Sequence, residues 1–175
     1  MKSFYRTLRT IRDNKELVKK YPFLLPRDYL TDELPPDYDY TYTELDGMPD
    51  GWRIAFGEQM CEEIRNELVK ENRLDDYRVL QIKEKYGELC WYDSGSTDEI
   101  FYEIIPKYER LSKITCVRCG KPATKLTLGW ICPYCDDCVP ATEFYERIEP
   151  DEGSAAQHGD GSVFLEPAEL FSPAI

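Results

Sequence analysis

Residues 115–138, TCVRCGKPATKLTLGWICPYCDDC, decide the fold of the C-terminal half of the chain. They contain five of the seven cysteines, among them two C-x2-C pairs that are separated by fifteen residues. A C-x2-C loop places two thiolates on one side of the backbone, and two such pairs at this spacing are typical of tetrahedral zinc. The sequence therefore predicts a structural Zn²⁺ held by Cys116, Cys119, Cys135 and Cys138.

The second pair of ligands is open to two assignments, because Cys132, Cys135 and Cys138 are evenly spaced. Cys132 with Cys135 could serve in place of Cys135 with Cys138. We favour the latter pair because residues 130–131 are typical of a strand that leads into a turn at Pro133. Cys132 is then a spare thiol or an alternate ligand.

A short hairpin is expected to join the two pairs, with strands at 124–127 and 128–131. The C-P-Y-C string at 132–135 also matches the redox motif of glutaredoxins, but the nearby Pro140 disfavours the βαβ unit that this motif requires. A disulfide framework is a further alternative. It is disfavoured because thiols stay reduced in the cytosol.

Composition limits the classes of function. The 175 residues include 22 basic and 34 acidic side chains, for a net charge of −12, and 42% of residues are hydrophobic. This is enough apolar material for a core, whereas so acidic a chain does not coat a phosphate backbone by general attraction. No run of eighteen apolar residues occurs, and the first sixteen residues lack the apolar segment of a secretory signal. We expect a cytoplasmic protein of a bacterial host cell, with no membrane association.

The chain is predicted to be an α+β protein with helices packed on a small antiparallel hairpin or sheet, an integral C-terminal zinc ribbon and a flexible tail. Its predicted parts are a basic amphipathic helix (1–20), an extended acidic arm rich in Tyr and Pro (21–51), an α+β core (52–113), the zinc ribbon (114–138) and an acidic, partly disordered tail (139–175). Within the tail, 151–162 is expected to be flexible and 163–175 to form a docking segment.

Periodicity predicts three elements in the core. Apolar residues recur every four positions over 52–72, which indicates a helix that Asp50-Gly51 would cap. Alternation over 77–93 with Tyr86-Gly87 in the middle indicates a β-hairpin. The S-x-x-E string at 96–99 predicts the capping box of a further helix, which Pro106 should kink. Cys61 and Cys90 fall within these elements and are expected to be buried core thiols.

The arm at 21–51 contains five prolines and five tyrosines, and its net charge is −7. An acidic surface accelerates encounter with a basic partner, so we expect a protein partner with a basic surface. Mimicry of nucleic acid is one functional interpretation of the arm. The candidate contact residues are the alternating acids and tyrosines Asp37, Tyr38, Asp39, Tyr40, Tyr42, Glu44 and Asp46. The alternative is a loop that wraps the domain with its acids facing water.

Nucleic acid is the second candidate partner. Residues 1–20 carry a net charge of +5 and are predicted to form an amphipathic helix. Together with Lys121 and Lys125 they could form a basic surface for a nucleic-acid-binding zinc-ribbon regulator. The alternative for this helix is a solvated one that packs on the domain through its apolar face.

Four strings taken together carry a resemblance: MPDGWR at 48–53, QIKEKYGELCWY at 81–92, TCVRCGKPA at 115–123 and GWICPYCDDC at 129–138. They resemble small uncharacterised zinc-ribbon proteins of bacteria and of phages or prophages, over about two thirds of the chain. The resemblance implies a mobile-element setting, in which small acidic proteins often block host defence systems. The tail from residue 139 departs from the family, and Cys132 is atypical of it, which agrees with a spare thiol.

We therefore expect a non-catalytic zinc protein that binds a host or phage protein and is a candidate inhibitor of a host defence system. Four thiolates leave the metal without an open position, and the single histidine, His158, lies in the tail. No catalytic residue is predicted. An enzyme built on an unrecognised carboxylate site is the remaining alternative.

Overall fold

The computed structural model describes residues 13–141 and 144–148. The predictions for residues 1–12 and for the tail from residue 149, with its flexible and docking segments, lie outside the described residues. Within them the protein is α+β, with three main helices and two small antiparallel sheets, so the predicted fold class holds at this level.

Helix α1 is described over residues 13–20, and its end is closed by the Tyr21 N–H, which donates to the carbonyl oxygen of Leu17 at 2.8 Å. Helix α2 comprises Asp50–Trp52, a π-helical turn at Arg53–Gly57 and Glu58–Lys70. Its buried face is the predicted four-residue stripe. Helix α2 begins two residues earlier than predicted, so that Gly51 lies inside its first turn and Asp50-Gly51 is not a separate cap.

Helix α3 comprises a π-helical turn at Ile100–Ile104 followed by Ile105–Lys113. The predicted irregularity at Pro106 is therefore present, as a widened turn that ends just before the proline. Proline lacks an N–H group and clashes with the carbonyl four residues earlier, which a wider turn accommodates. The predicted capping box is wrong, because Thr97 and not Ser96 caps the helix. The Thr97 hydroxyl accepts the Ile100 N–H, and the Ser96 hydroxyl donates to the Asp93 carboxylate.

The first sheet is the predicted hairpin, with β1 at Val79–Lys85 paired to β2 at Glu88–Asp93. The connecting residues Tyr86 and Gly87 have φ angles of 54° and 80°. Positive φ at both central positions is what a two-residue type I′ turn requires. One face of the hairpin, which carries Ile82, Leu89 and Trp91, packs on the core.

The second sheet has the strand order β4-β3-β5, with β3 at Lys125–Thr127, β4 at Pro133–Tyr134 and β5 at Tyr145–Arg147. The prediction of β3 is confirmed within one residue, but the predicted strand at 128–131 is wrong. The Thr127 hydroxyl donates to the Trp130 carbonyl and accepts the Cys132 N–H at 3.0 Å, which closes a loop at that point. Strand β5 was not predicted.

The segment at 21–51 is not an extended arm. It contains 3₁₀ turns at Pro22–Leu24 and Glu44–Gly47, and Asp32 and Tyr40 have positive φ. Five of its hydrophobic side chains are buried in the core, so the wrapping-loop alternative describes it better. The buried members are Tyr21, Phe23, Leu24, Leu45 and Met48.

Candidate metal centre

The metal centre is built from two loops of the C-terminal half. In the first loop, the Cys116 N–H donates to the carbonyl oxygen of Lys121 at 2.8 Å, and the Gly120 N–H donates to the carbonyl oxygen of Cys116 at 3.1 Å. Gly120 has φ +80°, a conformation that favours glycine. In the second, the Cys138 N–H donates to the carbonyl of Cys135 at 3.1 Å.

The structure brings the sulfurs of Cys116, Cys119, Cys135 and Cys138 within 4.8 Å of one another, a group that could hold a metal ion. The Cys119 and Cys135 sulfurs are 3.6 Å apart. Tetrahedral zinc with Zn–S bonds of about 2.3 Å separates its sulfurs by about 3.8 Å, so the arrangement fits that ion. Cys132 does not belong to the group.

The protonation of these thiols is set by burial and by backbone N–H groups. Burial acts to raise the pKa of Cys116, but N–H donors at Cys135, Arg118 and Cys119 outweigh it and lower the pKa to about 7. Burial raises the pKa of Cys138 to about 12. A soft divalent cation would stabilise all four groups as thiolates, which is the form that binds metal.

Ion pairs flank the centre. Lys121 is 3.0 Å from Asp137, and Lys125 is 3.0 Å from Asp136. The pKa of Lys121 is raised first by its hydrogen bond to Asp137 and further by the nearby Cys119 and Cys135 sulfurs. The two lysines expected to face nucleic acid are therefore already paired with carboxylates.

The centre is joined to the core by backbone contacts. The Gly51 N–H donates to the carbonyl of Val117 at 2.9 Å, and the Trp52 indole N–H donates to that of Thr115 at 2.8 Å. A Cβ at Gly51 would overlap the Cys116 carbonyl oxygen and lie 2.7 Å from the Gly120 nitrogen. Sequence inspection missed this role of Gly51, because D-G before a helix is also an ordinary turn signal.

The other three cysteines lie apart from the centre. Cys61 is fully buried as predicted, and burial raises its thiol pKa. The prediction for Cys90 is wrong, because strand alternation places it on the outer face of the hairpin, where it is half-buried. Burial, together with the carboxylate of Glu84, raises the pKa of Cys132 to about 11, whereas a redox cysteine requires a lowered one.

An open depression of about 470 Å³ lies beside the centre, between Asp50, Glu84, Arg118 and Cys138. The Glu84 carboxylate in its wall accepts the Gly87 N–H at 2.6 Å and so is engaged in the hairpin turn.

None of the described helices is both long and apolar enough to cross a membrane.

The seven predicted partner residues form one folded surface. The Tyr38 and Tyr40 rings are 4.7 Å apart, and the Tyr38 hydroxyl donates to the carbonyl of Tyr42 at 2.7 Å. Three of the four acids have structural features of their own. Asp39 accepts the N–H and hydroxyl of Thr41, Asp46 closes a 3₁₀ turn and pairs with Arg53, and Glu44 has its pKa raised to about 7 by burial.

The side chains of this surface that reach solvent most fully are Asp37, Asp39 and Tyr42. Helix α1 supports the surface from behind, through the Asn14 amide, which donates to the carbonyl of Tyr40 at 3.0 Å. The residues predicted as a partner surface are thus brought together by folded turns.

Comparison of the chain with protein-family models, with curated proteins and with solved structures gives no match.

Proposed function

We propose that this chain is a non-catalytic zinc protein whose metal stabilises the fold and whose acidic surface binds a protein partner. The observation that supports it is the group of four cysteine sulfurs within 4.8 Å of one another. A donor set made only of thiolates is typical of a structural site, since a catalytic zinc keeps a position for water. The metal then contributes to the fold and takes no part in a reaction.

Zinc analysis of single variants tests the ligand set. Cys116→Ser and Cys138→Ser should each lower the zinc content of the purified protein from one equivalent toward zero and destabilise the fold, because three thiolates bind zinc much more weakly than four. Cys132→Ser is the matched control, since it removes a cysteine of the same loop that lies outside the group. Loss of zinc from Cys132→Ser with retention in Cys138→Ser would overturn the assignment.

The partner is proposed to be a protein with a basic surface that meets the acidic, tyrosine-rich surface of residues 37–46. The exposed acids Asp37 and Asp39 and the exposed ring of Tyr42 support this proposal. Electrostatic attraction of this kind speeds encounter and weakens with salt. The resemblance to phage and prophage proteins supports inhibition of a host defence protein as the task.

Affinity capture from a bacterial lysate tests the surface. A protein captured by the wild type at low salt should be lost with the double variant D37N/Y42A and should weaken as salt rises. The double variant D75N/D76N is the control, because it removes two exposed charges from another turn. Capture that is insensitive to salt, or that both double variants reduce equally, would contradict the proposal.

A further inference from the structure

We infer that the outer face of the β1–β2 hairpin is a platform for single-stranded nucleic acid. In the hairpin register Gln81 is opposite Tyr92, Lys83 is opposite Cys90, and Lys85 is opposite Glu88. These pairs point away from the buried face, because side chains alternate along a strand. The outer face therefore combines two lysines with aromatic rings.

Two tyrosine rings of this face and a tryptophan ring of the neighbouring loop are exposed. Tyr86 at the turn is 75% exposed, Tyr92 is 44% exposed and Trp130 is 74% exposed. Trp130 belongs to the neighbouring loop, whose Ile131 side chain would lie 3.4 Å from a Cβ at Gly87. Large exposed rings are the surfaces on which unpaired bases stack, whatever the base.

Lysine side chains lie against the same rings. The Lys83 ammonium is 4.9 Å from the Tyr92 ring centroid, and the Lys85 ammonium is 5.6 Å from that of Tyr86. Neither lysine forms an ion pair in the part of the chain that the structure describes. The Lys83 ammonium donates to the Gln81 side-chain oxygen at 2.7 Å, so neither charge is neutralised by a carboxylate and both can contact phosphates next to stacked bases.

The acids near the platform are engaged elsewhere. Glu88 is 2.9 Å from Lys113, and Glu84 points to the opposite face, where it accepts the Gly87 N–H. The Glu44–Gly47 turn packs along β1, and its Asp46 is paired with Arg53. The face is thus locally positive in a chain whose net charge is −12.

The chemistry of this face favours an anionic ligand with planar apolar faces over an acidic protein segment, which has no bases to stack. From the level of Tyr92 to that of Tyr86 the hairpin extends about 15 Å, enough for a few unpaired nucleotides. Bases stack on exposed rings only when their faces are unpaired, so a single strand is the form that fits. This inference does not depend on the acidic surface at 37–46.

Tryptophan fluorescence of the full chain gives a direct measurement. Trp52 and Trp91 are buried, at 0% and 7% exposure, so quenching by an added oligonucleotide reports on Trp130. At about 0.1 M salt, where charges more than about 10 Å away are screened, a fluorescein-labelled oligothymidylate should bind with a dissociation constant on the order of 10⁻⁵ M. Oligouridylate should bind similarly, and binding of either supports the inference.

Variants separate stacking from charge. Tyr86→Asn should weaken binding about tenfold while keeping the turn, because asparagine accepts positive φ and cannot stack as a tyrosine ring does. Lys83→Ala with Lys85→Ala should weaken binding and reduce the salt slope by about 1.4. Trp130→Phe should abolish the quenching and keep most of the binding seen by anisotropy. Tyr102→Asn, at an exposed tyrosine on helix α3, is the control and should change nothing.

Three results would overturn the inference. The first is an absence of both quenching and anisotropy change with either oligonucleotide. The second is equal affinity for a duplex, which hides its base faces, and the third is equal competition by polyglutamate, which would show a general anion site. The oligonucleotide measurements use the zinc-loaded protein, and loss of the protein partner would leave their readings unchanged, so the two proposals can fail separately.

Discussion

Gly51 shows how one residue without a side chain joins the metal centre to the core. It lies in the first turn of α2, against the Cys116 carbonyl and the Gly120 nitrogen. Gly51→Ala should lower the free energy of unfolding by about 3 kcal/mol, because the new methyl group has to displace backbone atoms on both sides. Urea denaturation followed by circular dichroism measures the change.

Gly57→Ala is the matched control for this prediction. It lies in the π-helical turn of the same helix, and its new Cβ would meet its nearest neighbours at 3.4 Å, which is ordinary contact. Alanine has a higher helix propensity than glycine, so this variant should be neutral or more stable by up to about 1 kcal/mol. Equal destabilisation by both variants would contradict a specific role for Gly51.

Glu44 is a second residue with a measurable consequence. Burial raises the pKa of its carboxyl to about 7. The folded state therefore keeps the Glu44 proton at pH values where the unfolded state has released it. The contribution of this proton to the free energy of unfolding is fully present below the pKa of Glu44 in the unfolded state, and it is lost as pH rises through about 7. Relative to Glu44→Gln, the wild type should lose about 1 kcal/mol between about pH 5 and pH 8. Parallel stability profiles of the two proteins would contradict the burial of this carboxyl.

Among the elements, the β1–β2 hairpin contains a local conflict at its turn. Tyr86 has a φ of 54°, which costs tyrosine about 1 kcal/mol relative to glycine, which has no Cβ, or to asparagine, whose short amide can hydrogen-bond locally. Tyr86→Asn should therefore raise the free energy of unfolding by up to about 1 kcal/mol, since Asn-Gly is a preferred type I′ turn. Thermal unfolding gives the sign directly. A loss of stability would show that the Tyr86 ring contributes packing that outweighs the backbone strain.

Comparison of elements shows what local sequence can decide. The hairpin and the helix at 52–72 follow from periodicity of two and of about 3.6, because each buries a face that its own residues define. Strand β5 depends on pairing with β3, which is distant in sequence, and the loop at 128–131 depends on the hydroxyl of Thr127. No local sequence pattern therefore predicts either of them. Spacing predicted two cysteine pairs but left Cys132 as an alternative in the second pair. The exclusion of Cys132 from the group and the contact of the first loop with Gly51 depend on the tertiary fold.

At the scale of the whole molecule, the metal centre and the core should unfold together. Trp52 is fully buried and donates to Thr115, one residue before the first candidate ligand. Removal of the metal by a chelator should therefore lower the melting temperature and red-shift the emission of Trp52, with both changes following the same curve. An unchanged emission maximum after complete zinc loss would show that the core is independent of the centre.

The paired glycines at 51 and 120 also bear on how such a chain can change by descent. A recombination event that exchanged its C-terminal third with that of another lineage would give a folded protein only if both parents had glycine at positions 51 and 120. The two exchanged parts are therefore expected to be inherited together. Hybrid genes that lack glycine at either position should yield protein that is degraded in the cell.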